Sequence, residues 1–408
     1  KGIYEYENVR IAEFFGQNKI SITDDQNNKI EDPISYLQKH EFLAQIIAKR
    51  IASNFSLELS EEEQQNILNN FGSVLIDLDQ YDKGIKYLNK AIKIDSTQSA
   101  YFSNLGRAFF FKGQHAKARS MLDKALVLYP NNDEAKIILF YLSIIKKDLK
   151  KAWKYFSARI NTKHYFIPNN LHIPNKIQNK KILILREAGL GDEVLYSSMY
   201  AELIKNNNKV KIECDPRLKN IFKHSFNYSN FISTSSSLRK KSNLKNFDMT
   251  VYAGTLCSIF RNKLSNFNYI KFLIPNSKLT QKYKKTLDEI NNLPKIGISW
   301  ISTRLDLGKD KSIKLQDLFP ILKNKKLSFV NLQYGDHKKS INDFNIKNKL
   351  NIIDFPKIDK FNDIDKLLAL IESLDLVITV SNTTAHLAGA IGKKTMLFLS
   401  KDLGSLTI

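Results

Sequence analysis

Four strand-to-helix junctions in this sequence carry residues able to do chemistry. The first is Ala188-Gly189-Leu190-Gly191-Asp192, between an apolar run, Lys181–Arg186, and a helical stretch beginning near Glu193. Gly189 and Gly191 let backbone amides approach a ligand at a helix N-terminus, where the dipole favours negative charge. The dinucleotide fingerprint is excluded, because its third glycine is absent. Asp192 has two readings: a helix N-cap, for which Asp is preferred, or a carboxylate that takes a proton, which needs one oxygen left for a substrate. The second junction is Ser381-Asn382-Thr383-Thr384-Ala385-His386, after the run Asp375–Val380. Its hydroxyls and amide are either local caps or, at the carboxyl end of a parallel strand, a phosphate cradle, with His386 one turn inside the helix. The third runs from Ser299 through Ser302 to Lys309 and Lys311. Lys309 reads as a solvated cation, whereas Lys311, directly before Ser312, is placed to meet an anion. The fourth is Asn331-Leu332-Gln333-Tyr334-Gly335-Asp336, another strand exit. Together these junctions describe one cleft for a nucleotide diphosphate. Asp363-Ile364-Asp365 has the spacing of a metal-binding pair of carboxylates, but it opens a helix, Lys366–Leu374, and reads as a cap with dipole-favoured acids. No metal is expected.

The junctions need elements to position them. From about residue 181, short runs rich in Ile, Val and Leu alternate with amphipathic stretches, the signature of βαβ units and a parallel sheet. The runs are Lys181–Arg186, Lys209–Asp215, Asp248–Tyr252, Lys295–Trp300, Leu327–Gln333, Asn351–Phe355, Asp375–Val380 and Lys394–Leu399. A lysine-rich helical stretch, Lys278–Asn291, divides them into two Rossmann-like lobes, residues 180–292 and 293–408. Thr162–Asn179, with Pro168 and Pro174, reads as a linker. Upstream, residues 61–165 repeat: Gly72 and Gly106, Leu88 and Leu122, and Ala91 and Ala125 all lie 34 residues apart. Each unit reads as two helices whose small residues permit close approach. A weaker third unit keeps the register at Ala152 and Phe156. Residues 1–60 lack the repeat, and the helical spacing of Ile34, Leu37, Phe42 and Ile46 predicts a helical N-terminal cap.

Composition narrows the partners. Among 408 residues, 63 Lys+Arg against 41 Asp+Glu give a net charge of +22. The cations are scattered among many elements, whereas a nucleic-acid footprint would form a coherent stripe, so no nucleic-acid partner is expected. Two cysteines exclude a disulfide scaffold and a cysteine zinc finger, and they suit a reducing, cytoplasmic setting. No apolar run reaches about 18 residues, so no membrane-spanning helix is expected; peripheral contact with a membrane stays open.

The chain resembles bacterial tetratricopeptide-repeat glycosyltransferases whose catalytic region is related to glycosyltransferase family 9, the heptosyltransferases. The resemblance rests on Lys151–Phe156 with Arg159, Glu187–Glu193, Glu213–Leu218, Gly297–Trp300, Asn331–Asp336 and, most specifically, Leu374–Ala390, and it covers roughly residues 65–400. It implies an all-α repeat solenoid followed by an α/β GT-B fold, with the donor nucleotide held mainly by the second lobe. Asp192 would then be the general base, and Lys311 would help hold the donor. Ser381, Asn382, Thr383, Thr384 and His386 would lie at the diphosphate, and Gly189, Gly191, Ser302, Gln333 and Tyr334 complete the candidate substrate-binding set. The implied enzyme is metal-independent and inverting. It needs no cofactor beyond its donor substrate, a nucleotide-diphosphate sugar, and the groove of the repeats would recruit a protein or peptide acceptor. Two alternatives stand beside it: a non-catalytic scaffold with a degenerate GT-B domain, and a transferase for a lipopolysaccharide-type glycolipid. Members of the family continue beyond the strand Lys394–Leu399 with closing helices, so the second lobe reads as shortened.

Overall fold

The structure, a computed structural model, describes residues 3–6, 9–14, 19–24, 61–162, 168, 171, 180–206, 209–235, 244–268, 270–302 and 311–399. The chain divides into two compact units, residues 1–142 and 143–408.

The first unit opens with an antiparallel meander of β1 (Ile3–Tyr6), β2 (Val9–Phe14) and β3 (Lys19–Asp24), in which Tyr6 pairs with Val9 and Phe14 with Lys19. Residues 3–6, 9–14 and 19–24 are therefore strand where a helical cap was expected. The period-two spacing of Val9 and Ile11, and of Ile20 and Ile22, puts each pair on one face of its strand. The helix expected over Ile34–Ile51 lies outside the described residues.

Helical hairpins follow: α1 (Glu61–Asp77) with α2 (Tyr81–Ile94), then α3 (Ser99–Phe111) with α4 (His115–Leu128). In α2 the buried residues Gly84, Leu88 and Ala91 recur at helical spacing, so one face is apolar and must be covered. Small residues set how closely the helices of a hairpin meet. A methyl at Gly106 would lie 2.6 Å from Leu122 Cγ, and one at Gly72 would lie 2.7 Å from Leu88 Cγ. Polar pins join successive hairpins: Tyr101 donates to Asn66 (3.0 Å), Asn104 to Asn69 (2.9 Å), and Arg107 to Asp77 (3.0 Å). Helix α5 (Asp133–Ile145) follows them. Helix α6 (Leu149–Phe156), N-capped by Asp148, belongs with the second unit, as does the short α7 (Arg159–Thr162).

The second unit holds two parallel sheets. The first contains β4 (Ile182–Leu185), β5 (Val210–Cys214), β6 (Phe231–Ser233) and β7 (Met249–Tyr252) in the order β6-β5-β4-β7. The second contains β8 (Lys295–Ser299), β9 (Ser328–Asn331), β10 (Ile352–Ile353), β11 (Leu376–Val380) and β12 (Thr395–Phe398) in the order β10-β9-β8-β11-β12. Every expected run is a strand, and β6 is an addition. Both sheets have doubly wound connectivity, with the third, second, first and fourth strands of the lobe side by side. The strand order therefore reverses between β4 and β7 and between β8 and β11, and the crevice outside the carboxyl ends at such a point is where this architecture takes ligands. The lobe helices used below are α8 (Leu190–Ser197), α9 (Tyr200–Asn206), α10 (Pro216–Phe226), α11 (Ser277–Ile290), α12 (Lys338–Asn348), α13 (Ile364–Glu372) and α14 (Thr383–Ala390). The run Ile182–Leu185 is buried at every position, as a central parallel strand covered on both faces must be. Leu183 and Leu185 pack with Ile160, Leu244 and Tyr252, whereas Ile296, Ile298, Trp300, Phe329 and Ile378 centre the second lobe. The architecture expected, a repeat solenoid followed by two Rossmann-like lobes, is the one found. Among the described residues no helix is long and apolar enough to cross a membrane.

Gly106→Ala tests the close packing of the repeats. Leu122 is wholly buried, so the added methyl forces it off its position, at a cost of about 1–3 kcal/mol. That exceeds the helix propensity Ala gains over Gly, about 1 kcal/mol at most. A lower thermal midpoint by far-UV circular dichroism is expected; an unchanged or raised midpoint would show that Leu122 yields freely.

Candidate functional site

The two lobes meet where α8 and α14 begin. A methyl on Gly191 would sit 2.8 Å from His386 Cδ2 and 3.5 Å from Thr383 Cα, so only glycine admits this approach. Asp192, half-buried on the first turn of α8, accepts a hydrogen bond from the Gly189 N–H through Oδ2 (3.0 Å). Its other oxygen makes no hydrogen bond among the described residues. Burial lowers the pKa of His386 below the ordinary value; Asp192 pulls it up and Lys311 pushes it further down. Asp192, His386 and Lys311 therefore feel one another's charge at this junction. Next to Lys311, the Ser302 N–H donates to Ser312 Oγ (2.9 Å).

Beneath this junction lies a lattice of buried amides. Gln333 Oε1 accepts from Ser299 Oγ (3.0 Å) and from the N–H groups of Trp300 and Ile301 (both 2.9 Å), while Nε2 donates to the carbonyls of Ile301 (3.3 Å) and Tyr334 (3.1 Å). Asn382 Nδ2 donates to Ser299 Oγ (2.8 Å) and the Ile301 carbonyl (3.1 Å), and Oδ1 accepts from Thr379 Oγ1 and the N–H groups of Thr384 and Ala385. Asn382 is thus the N-cap of α14 and ties β11 to the exit of β8. Thr384 is fully buried, and its hydroxyl has no hydrogen-bond partner among the described residues.

A second contact between the lobes is electrostatic. Asp215 N-caps α10, helped by Pro216 at the first helical position. It pairs with Arg217 through two hydrogen bonds of 2.8 Å. Arg217 reaches across to the Phe361 carbonyl (3.0 Å) and lies over its ring, 4.9 Å from the centroid, and Tyr334 packs on the same ring. On the other side, Arg186 pairs with Glu193 at 2.6 Å, and Glu193 Oε2 accepts from the Asp215 N–H (2.9 Å). Burial pushes the Glu193 pKa up to about 7 against the pull of Arg186. Asp363 caps α13, as its spacing implied, and pairs with Lys366. Among the described residues, no group of three or more His, Cys, Asp or Glu is placed to hold a metal ion.

Residues 63–131 match the tetratricopeptide repeat family. That segment is a tetratricopeptide-repeat region. Protein FlbA of Caulobacter vibrioides is 22% identical over 97% of this chain and 69% of its own length. Among solved structures, the glycosyl transferase family 9 of Veillonella parvula covers 54% of this chain and 82% of its own, with a TM-score of 0.42 and 11% identity. The ADP-heptose lps heptosyltransferase II of E. coli covers 53% and 84%, with a TM-score of 0.40 and 12% identity. A variant O-GlcNAc transferase of Thermobaculum terrenum covers 92% and 84%, with a TM-score of 0.30 and 12% identity.

Of the residues singled out in the sequence, the α/β unit that follows the tetratricopeptide repeats brings Gly189, Gly191, Asp192, Lys311, Thr383 and His386 to one junction. Ser302 sits behind Lys311, and Ser381 is half-buried just before the cap of α14. Gln333 and Asn382 use their polar atoms inside the protein, and Tyr334 stands at the Arg217–Phe361 contact. Sequence reasoning assigned no role to Thr379, Glu193, Arg217 or Phe361. For Arg217 the signal was its place two residues after a capping Asp.

Glu193 makes a pH prediction. Its folded pKa, about 7, exceeds its unfolded value of 4.5. It therefore stabilises the fold fully below pH 4.5 and loses that contribution as pH rises through 7. His386, lowered on folding, acts the other way, costing stability as pH falls below 6.5. Relative to Glu193→Gln, the wild-type thermal midpoint is expected to decline between pH 5 and 8; parallel profiles would place the proton elsewhere.

Proposed function

We propose that this chain is a glycosyltransferase that moves a sugar from a nucleotide-diphosphate sugar to an acceptor hydroxyl. One observation carries the reading: two helix N-termini, each following a strand at the switch point of a parallel sheet, converge with Asp192 and Lys311 between facing lobes. Asp192, with one oxygen fixed by Gly189, takes the acceptor hydroxyl proton as that oxygen attacks the anomeric carbon. The new carbon–oxygen bond forms as the sugar–phosphate bond breaks, and the diphosphate leaves with the electron pair. Attack from the side opposite the leaving group inverts the anomeric centre. The N-terminus of α14, the hydroxyls of Ser381 and Thr383, and Lys311 stabilise the departing charge with no metal required, while Thr384 is enclosed beneath them. Gln333 and Asn382 hold the walls of the cleft, with Ser302 and Tyr334 at its margins. The repeats supply an acceptor-recruiting groove for a protein or peptide, as stacked helix pairs do. A reducing, cytoplasmic setting suits the two buried thiols.

The scaffold reading is favoured by one observation, that Gln333 and Asn382 spend their polar atoms internally. Two measurements decide between them. Thermal-shift screening against nucleoside diphosphates is expected to raise the midpoint with at least one base, since binding stabilises the folded state by mass action. Asp192→Asn is expected to keep that shift while transfer falls about 10²- to 10⁴-fold. No shift with any nucleotide, or transfer unchanged in Asp192→Asn, would sink the catalytic assignment. Transfer to a lipopolysaccharide-type glycolipid but to no protein would replace the acceptor class.

A further inference from the structure

The turn that delivers Asp192 is held from outside both sheets. Between β4 and α8 the backbone passes through Ala188 at φ +59°, a left-handed state that side chains rarely adopt. Such a state persists where its surroundings fix it. The preceding residue supplies that fixing. Glu187 is 3% exposed and has both carboxylate oxygens occupied: Oε2 accepts from Arg159 Nε (2.8 Å), and Oε1 accepts from Arg159 Nη2 (2.8 Å) and from the Gly254 N–H. Arg159 is itself buried, at 4%. It donates further to Thr255 Oγ1 (3.0 Å) and the Phe156 carbonyl (3.1 Å), and its guanidinium lies 4.1 Å from the centroid of the Phe156 ring. One fork thus joins α7, the β4–α8 turn and the turn after β7, on both sides of the first lobe's switch point. The helix that precedes Arg159 is anchored as well, with Trp153 Nε1 donating to the Arg261 carbonyl (2.6 Å).

A buried ion pair is weak evidence for stability, because a well-packed apolar pair often serves as well. What a bidentate fork offers that an apolar pair lacks is direction. We propose that Arg159 is a positioning residue: through Glu187 it sets the Ala188 turn, and that turn aims Asp192 into the cleft. The chemistry of the first lobe then depends on a helix that contributes nothing to its sheet, the last element before the linker. This inference rests on the glycosyltransferase reading for its effect on turnover, but not for its effect on the turn.

The test uses the full chain. Arg159→Met alone strands a buried carboxylate and risks misfolding, so Arg159→Met/Glu187→Gln, neutral and of similar volume, is measured beside it, with Arg159→Lys as the conservative variant. Three quantities are read: the thermal midpoint, amide hydrogen exchange over residues 188–192, and kcat and donor KM separately. In the folded double variant, exchange over 188–192 is expected to quicken and kcat to fall about 100-fold, the scale of a small misplacement of a reacting group, with donor KM held. Arg159→Lys is expected to recover only part of kcat, since it keeps the charge but not the fork. Wild-type exchange and kcat in a folded double variant, or a lowered midpoint with both unchanged, overturns the proposal. If Asp192→Asn proves fully active, the catalytic reading falls. The exchange measurement then still decides whether Arg159 holds the turn.

Discussion

Two helix N-termini abut between the lobes, and much else in the second unit follows from that. Each carries about half a positive charge at its first-turn N–H groups, so bringing α8 against α14 is repulsive unless negative charge is placed between them. Gly191 makes the approach sterically feasible, and Asp192 is the acid on the first turn that answers it. His386 responds in the direction electrostatics demands: burial and Lys311 hold it below its ordinary pKa although Asp192 pulls the other way. A neutral imidazole is one positive charge fewer at a crowded point. What remains favours an anion, and a leaving diphosphate is one whose charge grows during reaction.

Fixing helix ends that closely requires walls that do not give, and the amide lattice supplies them. A side-chain amide carries donor and acceptor in one plane. Gln333 therefore receives three hydrogen bonds and gives two with no net charge to compensate. Asn382 does the same from α14, and both meet at Ser299 Oγ. A carboxylate at either position would lack the donors and bury a charge. These residues belong to the site without needing to touch what binds there.

How far this was readable depends on the range of the forces involved. The eight expected strands of the lobes were legible because central parallel strands are continuous apolar runs, and β6 was missed because Phe231–Ser233 is too short to show one. Hairpins were legible through small residues at a fixed offset, since Gly106 and Leu122 sit at matching places in helices that must touch. The strands at residues 3–6, 9–14 and 19–24 were overlooked when a helical pattern further along was extended over them. At the site, Gly191, Asp192 and His386 were visible as junction chemistry, a local property. That Gln333 and Asn382 turn inward was not visible, because it depends on β8, β9 and β11 lying side by side. Nor were the Arg159–Glu187 fork and the Arg217–Phe361 contact, each of which joins segments that only the folded chain brings together.

The same distinction resolves the charge of the molecule. Several cations drawn into the interior are answered by acids, Arg159 by Glu187, Arg186 by Glu193, Arg217 by Asp215, and Lys360 by Asp354, whereas buried Lys295 donates to the carbonyls of Asn291 and Leu293. Each pair consumes one acid per cation and leaves the net charge of +22 untouched, so the excess lies outside these pairs, in part on exposed lysines such as Lys284 and Lys285. Screening weakens those beyond about 10 Å at ordinary ionic strength. At the junction of the lobes the arithmetic differs, because the backbone contributes. Two helix ends carry together about as much positive charge as Lys311, and Asp192 offsets only one of these contributions. The potential that would select an anionic ligand thus comes from peptide dipoles and a single lysine held in place by packing. Changing the surface lysines would alter solubility and encounter rates long before it altered what binds in the cleft.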